Sequence, residues 1–365
     1  MRLHLLLAIS LLFAVGFAKF QYLDTILSAS SSSEVPDSRY ISLPNWFTQR
    51  LDHFNDLDKR VWAQRYYMNQ RFWDGKGPIF MYIGGEGTLS GPPGDDSFVG
   101  SLAKEHNGLI VALEHRFYGM SQPFINEKRA LRRENLEYLN SRQALGDLAH
   151  FLSSVKTNLT KSTGHHHKVI SVGGSYPGAL SSHFRLKYPH LVDFAISSSG
   201  VVRSLANFPE FDASIAKAVG TVCAEQLRKV THLFEEKMKT KKGIQECKDV
   251  FKLDSGYRDD DIWFLLADSQ IIPTQYGQKH RLCKILGTLD GDDLFKAYKK
   301  YARDIFMGEH EPNGLGEYDT RHLAKEEFVP DLSNSRCWYW QSCNELGWLQ
   351  SAPSKKSNQI FKNDF

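Results

Sequence analysis

Ser175 is the residue whose surroundings most clearly indicate chemistry. An apolar run at residues 170–172 and a pair of glycines precede it, and Tyr176 and Pro177 follow it. Hydrolases expose a nucleophilic serine on such a turn, where a strand bends sharply into a helix and only small neighbours fit. Gly-x-Ser-x-Gly would require glycine at position 177, but a proline at the start of a helix loses no needed N–H group. The segment predicts a serine nucleophile, and an ordinary strand-to-helix turn is the alternative.

A second glycine-rich turn lies upstream of the serine. Residues 79–83 are apolar and end in the sequence Gly-Gly-Glu-Gly at residues 84–87. In such hydrolases the loop after an early strand supplies one N–H group of the oxyanion hole, and the residue after the nucleophile supplies the other. We therefore expect the two donors to be Gly85 and Tyr176. A tight surface turn is the alternative for residues 84–87.

A third apolar run, residues 109–113, ends in Glu114, His115 and Arg116. The carboxyl ends of parallel strands border the crevice where α/β sheets bind ligands, so Glu114 and His115 are candidates for contact with a substrate. A buried Glu–Arg pair that holds the loop is the more frequent role for such residues. His115 is not expected to be the catalytic base, because in these hydrolases the histidine follows the serine along the chain.

Strands and helices alternate around these motifs. Residues 61–68 are aromatic and β-prone, residues 142–152 have apolar side chains at helical spacing, and residues 191–200 predict a further strand. This alternation predicts an α/β fold with a mostly parallel sheet covered by helices. From residue 201 onward, helical stretches rich in Lys and Glu predict a cap domain inserted into the sheet domain.

Composition indicates a folded and exported protein. The chain of 365 residues is 41% hydrophobic, which suffices for one large core and a second lobe. Its formal net charge of +3 is small for this length and argues against a nucleic-acid partner. Residues 1–18 predict a cleaved signal peptide and residues 19–45 a partly disordered leader, and no later run is apolar enough to span a membrane. We expect a protein of the secretory pathway, either secreted or lysosomal.

The five cysteines all follow Ser175 in the chain. Disulfides are their natural role in an oxidising compartment, and none has the spacing of a metal ligand. The odd number leaves one thiol without a partner in this chain. Asn158 begins a glycosylation sequon, which we expect on a loop before the strand that leads to the serine. No cofactor and no metal are expected.

Five motifs in this order resemble the lysosomal prolyl carboxypeptidase and dipeptidyl peptidase family of serine proteases, and most of all its thymus-specific serine protease branch. They lie at residues 49–54, 84–87, 114–119, 173–176 and 336–345. The resemblance implies an α/β-hydrolase with a helical cap, an acyl-enzyme on Ser175, and cleavage near proline or alanine at a peptide end. Cleavage as a carboxypeptidase and as a dipeptidyl peptidase are both compatible with the sequence.

The resemblance also implies how further residues act. It suggests disulfides between Cys223 and Cys343 and between Cys247 and Cys283, which leaves Cys337 at a position where relatives usually lack cysteine. We expect peptide substrates to contact the following side chains: Glu86, Glu114, His115, Trp338 and Gln341. The expected organisation is a hydrolase core over residues 46–200, a helical cap over residues 201–335 and a return to the core over residues 336–365. Whether the protein is a monomer or a homodimer stays open.

One departure from the family concerns the catalytic triad. The catalytic Asp and His of relatives come in two turns beyond the Trp-x-x-Gln-x-Cys segment, and the sequence up to Phe365 contains neither turn. A serine without its base keeps only a small part of its catalytic acceleration. We therefore expect a serine exopeptidase whose sequence is C-terminally incomplete. The alternative is a catalytically impaired homologue, a pseudoenzyme, that binds peptides or a partner protein through the same crevice.

Overall fold

The computed structural model describes residues 43–307, 316–351 and 360. The chain forms two units. Among the described residues, one unit, here called the sheet unit, comprises residues 43–204 and 326–341. The other, here called the helical unit, comprises residues 205–307, 316–325, 342–351 and 360. The predicted signal peptide lies outside the described residues, as does the leader up to residue 42.

The sheet unit contains a six-stranded mixed sheet. Its strands are β1 (Asn45–Arg50), β2 (Val61–Asn69), β3 (Ile79–Ile83), β4 (Leu109–Leu113), β5 (Val169–Gly174) and β6 (Phe194–Ser198). They lie in the order β1-β2-β4-β3-β5-β6. The β1–β2 and β2–β4 pairs are antiparallel, whereas the pairs from β4 to β6 are parallel. The predicted α/β class with a mostly parallel sheet is confirmed.

Four helices connect these strands. They are α1 (Phe98–Glu105), α2 (Arg133–Leu136), α3 (Ser141–Thr163) and α4 (Tyr176–Lys187). The strands β3 and β4 are almost entirely buried because helices cover the sheet, and this is why both strands are apolar throughout. One cluster of this core joins Phe80 and Ile110 of the two strands to Val99 and Ala103 of α1.

The helix α3 is longer than the sequence predicted. The Asn140 side chain caps its start by accepting a hydrogen bond from the Gln143 N–H group, and the helix continues to Gly164, which ends it with a φ of 71°. The sequon residue Asn158 therefore lies on α3 and is exposed. Its expected placement on a loop is wrong, because a left-handed residue that can stop the helix comes only at position 164.

The helical unit consists, over its described residues, mainly of α-helices. They are α5 (Glu210–Val219), α6 (Thr221–Lys237), α7 (Lys241–Val250), α8 (Asp259–Gln275), α9 (Lys279–Leu286), α10 (Gly291–Tyr301) and α11 (Thr320–Leu323). Two short strands, β7 (Leu205–Asn207) and β8 (Gly347–Leu349), form a parallel pair in the same unit. No helix in the described part of the chain is long and apolar enough to cross a bilayer.

The disulfide of the helical unit differs from both expected pairs. Cys223 on α6 is bonded to Cys283 on α9, so the pairs Cys223–Cys343 and Cys247–Cys283 are wrong. The packing of α9 against α6 brings the two Cα atoms to 5.4 Å, a separation that suits a disulfide. Cys247 is fully buried on α7, and burial raises the pKa of its thiol to about 12, whereas Cys343 is exposed.

A last helix, α12 (Ser333–Gln341), returns the chain to the sheet unit. Its Cys337 is fully buried against Phe117, Leu131 and Leu136 of the segments that follow β4. Burial raises the pKa of the Cys337 thiol to about 12, so the thiol is neutral and part of the apolar core. The helix thereby places residues 338–341 beside the segment of residues 114–119.

Candidate active site

Ser175 occupies the turn between β5 and α4. Its backbone has a φ of 59° and a ψ of −127°, a conformation that costs energy for any residue with a side chain. The Ser175 N–H group donates to the Ser198 carbonyl oxygen at 2.9 Å, which ties the turn to the end of β6. The residue is half-buried. A strained serine at the carboxyl end of a parallel strand, followed at once by a helix, has the geometry of a nucleophile elbow.

Two glycines allow the strand and the helix to meet at this turn. A Cβ atom on Gly173 would lie 2.1 Å from the carbonyl oxygen of Pro177. A Cβ atom on Gly178, in the first turn of α4, would lie 2.9 Å from the Cα atom of Gly200. Because backbone atoms cannot yield as a flexible side chain does, both positions require glycine, and Pro177 is accommodated within the first helical turn.

The structure brings the two expected oxyanion donors together. Gly85 follows β3, and a Cβ atom on it would lie 2.6 Å from the Cγ atom of Pro177. The preceding Gly84 is held by its N–H group, which donates to the Leu113 carbonyl oxygen at 2.9 Å. Gly85 therefore lies beside the start of α4, where Tyr176 is the first helical residue. An oxyanion hole needs two donors that lie close to the nucleophile, and of these two residues Tyr176 directly follows Ser175 and Gly85 lies beside Pro177.

The Tyr176 side chain is buried and held by two hydrogen bonds. Its hydroxyl oxygen lies 3.0 Å from His115 Nε2 and 2.9 Å from Gln341 Nε2. The Tyr118 hydroxyl donates to the other end of the same amide, Gln341 Oε1, at 2.6 Å. The indole ring of Trp338 packs on the Tyr176 ring with centroids 5.7 Å apart. Three of the five side chains expected at the site, His115, Trp338 and Gln341, thus surround the residue that follows Ser175.

His115 is buried and neutral. Its Nδ1 atom lies 2.7 Å from the Arg116 carbonyl oxygen, which can only accept, so Nδ1 carries the proton and Nε2 accepts from Tyr176. Burial lowers the pKa of His115 to about 4. The ring is therefore a fixed hydrogen-bond partner at neutral pH and not a general base.

Glu86 has a different environment from the other expected side chains. It lies in the loop after β3 and is 6% exposed. Within the described residues it forms no ion pair, and burial raises the pKa of its carboxyl group to about 8. The side chain is therefore predominantly protonated at neutral pH, and a protonated carboxyl group can donate a hydrogen bond.

Glu114 is fully buried and holds the loops around the site. Its carboxylate accepts hydrogen bonds from Arg65 at 2.5 Å, from the Leu89 N–H group at 2.9 Å and from the Ser121 hydroxyl at 2.7 Å. Burial raises the pKa of Glu114, and the Arg65 guanidinium opposes that rise. A buried Glu–Arg pair was expected as the alternative to substrate contact, and the structure contains one in which the arginine is Arg65.

Sequence reasoning missed the partner of Arg116. The guanidinium forms two bonds of 2.6 Å with the carboxylate of Asp147 on α3. His53 Nε2 lies 2.8 Å from the same carboxylate, which is fully buried. Burial opposes ionisation of Asp147, but Arg116 holds the pKa of its carboxyl group below the usual value. The available signal was an acidic residue on the apolar face of a predicted helix, since a buried charge there requires a partner.

The structure places Ser175 at a strained turn, with Gly85 and Tyr176 next to it. Among the described residues, no histidine ring is hydrogen-bonded to the Ser175 hydroxyl. The same part of the chain has no group of three or more His, Cys, Asp or Glu side chains that could bind a metal ion. The chemistry that these residues support is nucleophilic attack by a serine on a carbonyl carbon, with the resulting oxyanion stabilised by backbone N–H groups.

Comparison with known proteins identifies the family. The family model described as serine carboxypeptidase S28 matches residues 49–365. The chain belongs to the S28 serine peptidases. This confirms the family expected from the five motifs, and the α/β-hydrolase fold class is confirmed with it.

Relatives of this S28 chain come from plants and animals. It is 39% identical over 348 residues to the probable serine protease EDA2 of Arabidopsis thaliana, covering 91% of this chain and 68% of that protein. It is 34% identical to the human thymus-specific serine protease, covering 59% of this chain and 41% of that protein. For the mouse lysosomal Pro-X carboxypeptidase, the identity is 30%, and the match covers 62% of this chain and 47% of that protein. The chain thus matches less than half the length of these two mammalian relatives.

Among solved structures, the esterase Est22 matches with a TM-score of 0.34 and 14% identity, covering 56% of this chain and 57% of that one.

Proposed function

We propose that this protein is a serine exopeptidase in which Ser175 attacks the scissile carbonyl and forms an acyl-enzyme. The observation that supports this most directly is the strained backbone of Ser175 at the turn from β5 into α4, next to a glycine-rich loop. Its membership of the S28 family supports the same class of reaction.

In the proposed reaction, the Ser175 oxygen forms a bond to the carbonyl carbon, and the carbonyl oxygen becomes an oxyanion. The N–H groups of Gly85 and Tyr176 donate to that oxyanion. A general base takes the Ser175 hydroxyl proton during the attack and gives it to the leaving amine. When the tetrahedral intermediate collapses, the bond to the protonated amine breaks and the acyl group stays on Ser175. Water then attacks the acyl-enzyme, gives a proton to the same base and releases the acid. His115 does not take the hydroxyl proton, because its Nε2 atom is engaged by Tyr176 and its pKa is about 4.

The proposed substrates are peptides with proline or alanine on the acyl side of the cleaved bond. The apolar surroundings of the nucleophile support this class, because the buried indole ring of Trp338 packs against Tyr176. A substrate pocket formed beside these rings would favour a compact ring or methyl group, with discrimination of about 1–3 kcal/mol for a mismatch of one methylene group. One relative is named a lysosomal Pro-X carboxypeptidase, which agrees with this class. Equal cleavage after proline, lysine and glutamate in a panel of short peptides would contradict the proposal.

The decisive test of the nucleophile is Ser175→Ala in the full natural chain. We expect the variant to lose peptide hydrolysis and to lose labelling by a fluorophosphonate probe. Ser182→Ala is the matched control, because Ser182 is also a half-buried serine of this region and lies almost two turns into α4. It should keep both activities. Undiminished labelling of the Ser175→Ala variant would reject the assignment, and a natural chain that binds peptides without hydrolysing them would favour the pseudoenzyme.

We further propose that the protein enters the secretory pathway and carries a glycan on Asn158. The exposure of Asn158 on α3 supports this, since a glycan there would extend into solvent. Expression in cells that glycosylate should give a protein whose mass falls on treatment with an amide-cleaving glycosidase. Asn158→Gln should abolish that mass change if this sequon is the one used.

A further inference from the structure

Four buried side chains around the elbow form one continuous hydrogen-bonded chain, here called the tyrosine–amide chain. It runs from Tyr118 through Gln341 and Tyr176 to His115. The distances are 2.6 Å from the Tyr118 hydroxyl to Gln341 Oε1, 2.9 Å from Gln341 Nε2 to the Tyr176 hydroxyl, and 3.0 Å from that hydroxyl to His115 Nε2. His115 is 4% exposed, Tyr176 is 1% exposed and the other two are fully buried.

The direction of each bond follows from the chemistry of the groups. The Arg116 carbonyl oxygen accepts from His115 Nδ1, so His115 Nε2 must accept the Tyr176 proton. The Tyr176 oxygen then accepts from the Gln341 NH₂ group, which leaves Gln341 Oε1 to accept from Tyr118. Donors and acceptors alternate without conflict along all four members. Such a fully satisfied network specifies one arrangement of the side chains, because every alternative leaves a buried polar group without a partner.

The member next to the reaction is Tyr176, since its backbone follows Ser175 directly. Shifting the Tyr176 ring would shift the start of α4 and with it the N–H group proposed as an oxyanion donor. Gln341 approaches from α12, which is 165 residues further along the chain. Packing alone would require only an apolar side chain of similar volume at this position. Because a hydrogen bond is directional, the Gln341 amide also determines where the phenol ring of Tyr176 lies and how it is tilted.

We propose that Gln341, with Tyr118 and His115, is a positioning residue that holds Tyr176 so that its N–H group points at the developing oxyanion. This proposal rests on the proposed function of Ser175. Gln341 and His115, which were expected to contact the substrate, then act through Tyr176. The tyrosine–amide chain couples α12 to the elbow. The geometry of the oxyanion hole therefore depends on a helix that comes late in the sequence.

The test is Tyr176→Phe in the full natural chain, which removes the shared hydroxyl and keeps the ring. We expect kcat to fall about 10- to 100-fold with KM changed less than about threefold, because misplacement of a catalytic group by about 1 Å can cost about 100-fold. The rate at which a fluorophosphonate labels Ser175 should fall by a similar factor. Both rates are taken per folded molecule, with the folded fraction measured by circular dichroism.

Tyr298→Phe is the matched control. Tyr298 is also a fully buried tyrosine, its hydroxyl is hydrogen-bonded to Ser269, and it belongs to the helical unit. This variant should lose stability and keep kcat per folded molecule. Tyr176→Phe could behave in the same way, with lower stability and a kcat within about threefold of the natural value. In that case the tyrosine–amide chain contributes only to stability, and the proposal is overturned.

Gln341→Glu gives a second measurement with a pH signature. A protonated glutamic acid can accept from Tyr118 and donate to Tyr176, as the amide does, whereas the carboxylate cannot donate. We expect the kcat of Gln341→Glu to be close to the natural value at low pH and to fall as pH rises and the introduced carboxyl group ionises. The natural protein should lack this additional decrease in its pH profile. The same pH profile in both proteins would overturn the proposal.

If Tyr176→Phe does not fold, Tyr118→Phe is tested in its place. We expect its kcat to be a few-fold lower than that of the natural protein, and an unchanged kcat would overturn the proposal. Failure of the proposed function is seen separately, as undiminished labelling of Ser175→Ala, and it would overturn this inference as well.

Discussion

Glu86 provides the prediction whose size can be worked out most directly. Its carboxyl group is 6% exposed, and burial raises its pKa from 4.5 to about 8. In the unfolded chain the group ionises near 4.5, whereas in the folded protein it keeps its proton up to about pH 8. Between these two values the folded state binds one more proton than the unfolded state, so stability falls as pH rises. The contribution is complete below pH 4.5 and is lost as pH passes about 8.

The size of the effect follows from the separation of the two pKa values. Each pH unit between them changes the free energy of unfolding by about 1.4 kcal/mol, which amounts to about 3 kcal/mol at pH 7 and about 5 kcal/mol above pH 8. This is a large fraction of the stability of a typical domain, about 5–15 kcal/mol. Glu86→Gln removes the titration and keeps the shape of the side chain. The variant should therefore gain stability relative to the natural chain as pH rises.

The assay is urea unfolding of both proteins at a series of pH values from 4 to 9. The difference between their free energies of unfolding isolates Glu86, because every other titrating group is present in both proteins. Glu105→Gln, at the exposed end of α1, is the matched control and should follow the natural chain within about 0.5 kcal/mol. A difference between Glu86→Gln and the natural chain that stays constant over this pH range would refute the reasoning.

Three further predictions concern stability and the elbow. Asp147→Asn leaves a buried guanidinium without its carboxylate and should cost about 3–5 kcal/mol in urea unfolding, against at most about 1 kcal/mol for the exposed Asp293→Asn. Cys223→Ser opens a loop of 60 residues and should cost about 4 kcal/mol in the same assay, and peptide mapping of the natural chain should find Cys223 joined to Cys283. Gly173→Ala places a methyl group 2.1 Å from a backbone oxygen, so fluorophosphonate labelling should fall sharply and stability should drop by about 1–3 kcal/mol. Natural labelling rates in that variant would contradict the close approach of β5 and α4.

Local sequence patterns predicted the parts of the site that depend on the backbone of one segment. Glycines on either side of Ser175 permit a strained turn and a close approach, and these requirements are visible without any partner. The apolar runs of β3 and β4 were recognised because strands buried on both faces are apolar throughout. The length of α3 was underestimated because its exposed second half lacks the apolar pattern, and its end depends on Gly164.

Partners from distant segments were harder to predict. Glu114 was expected beside an arginine, yet its partner is Arg65 on β2. Asp147 drew no attention in the sequence, although it neutralises the fully buried guanidinium of Arg116. The two expected disulfides contained both bonded cysteines, Cys223 and Cys283, but gave each of them the wrong partner. In each case the sequence indicated that a group needs a partner, and the direction of its side chain in the folded protein decided which one.

The sequence by itself determined the α/β class, the sharp strand-to-helix turn at Ser175 and the family, because these follow from residue size, periodicity and short motifs along the chain. The tertiary structure alone decided that Gln341 holds Tyr176, that Arg116 pairs with Asp147 and that Cys223 pairs with Cys283. The physical reason is the range of the interactions. Backbone conformation responds to neighbouring residues, whereas a buried hydrogen bond, ion pair or disulfide forms only between side chains that the packing of separate helices and strands brings to within a few ångströms.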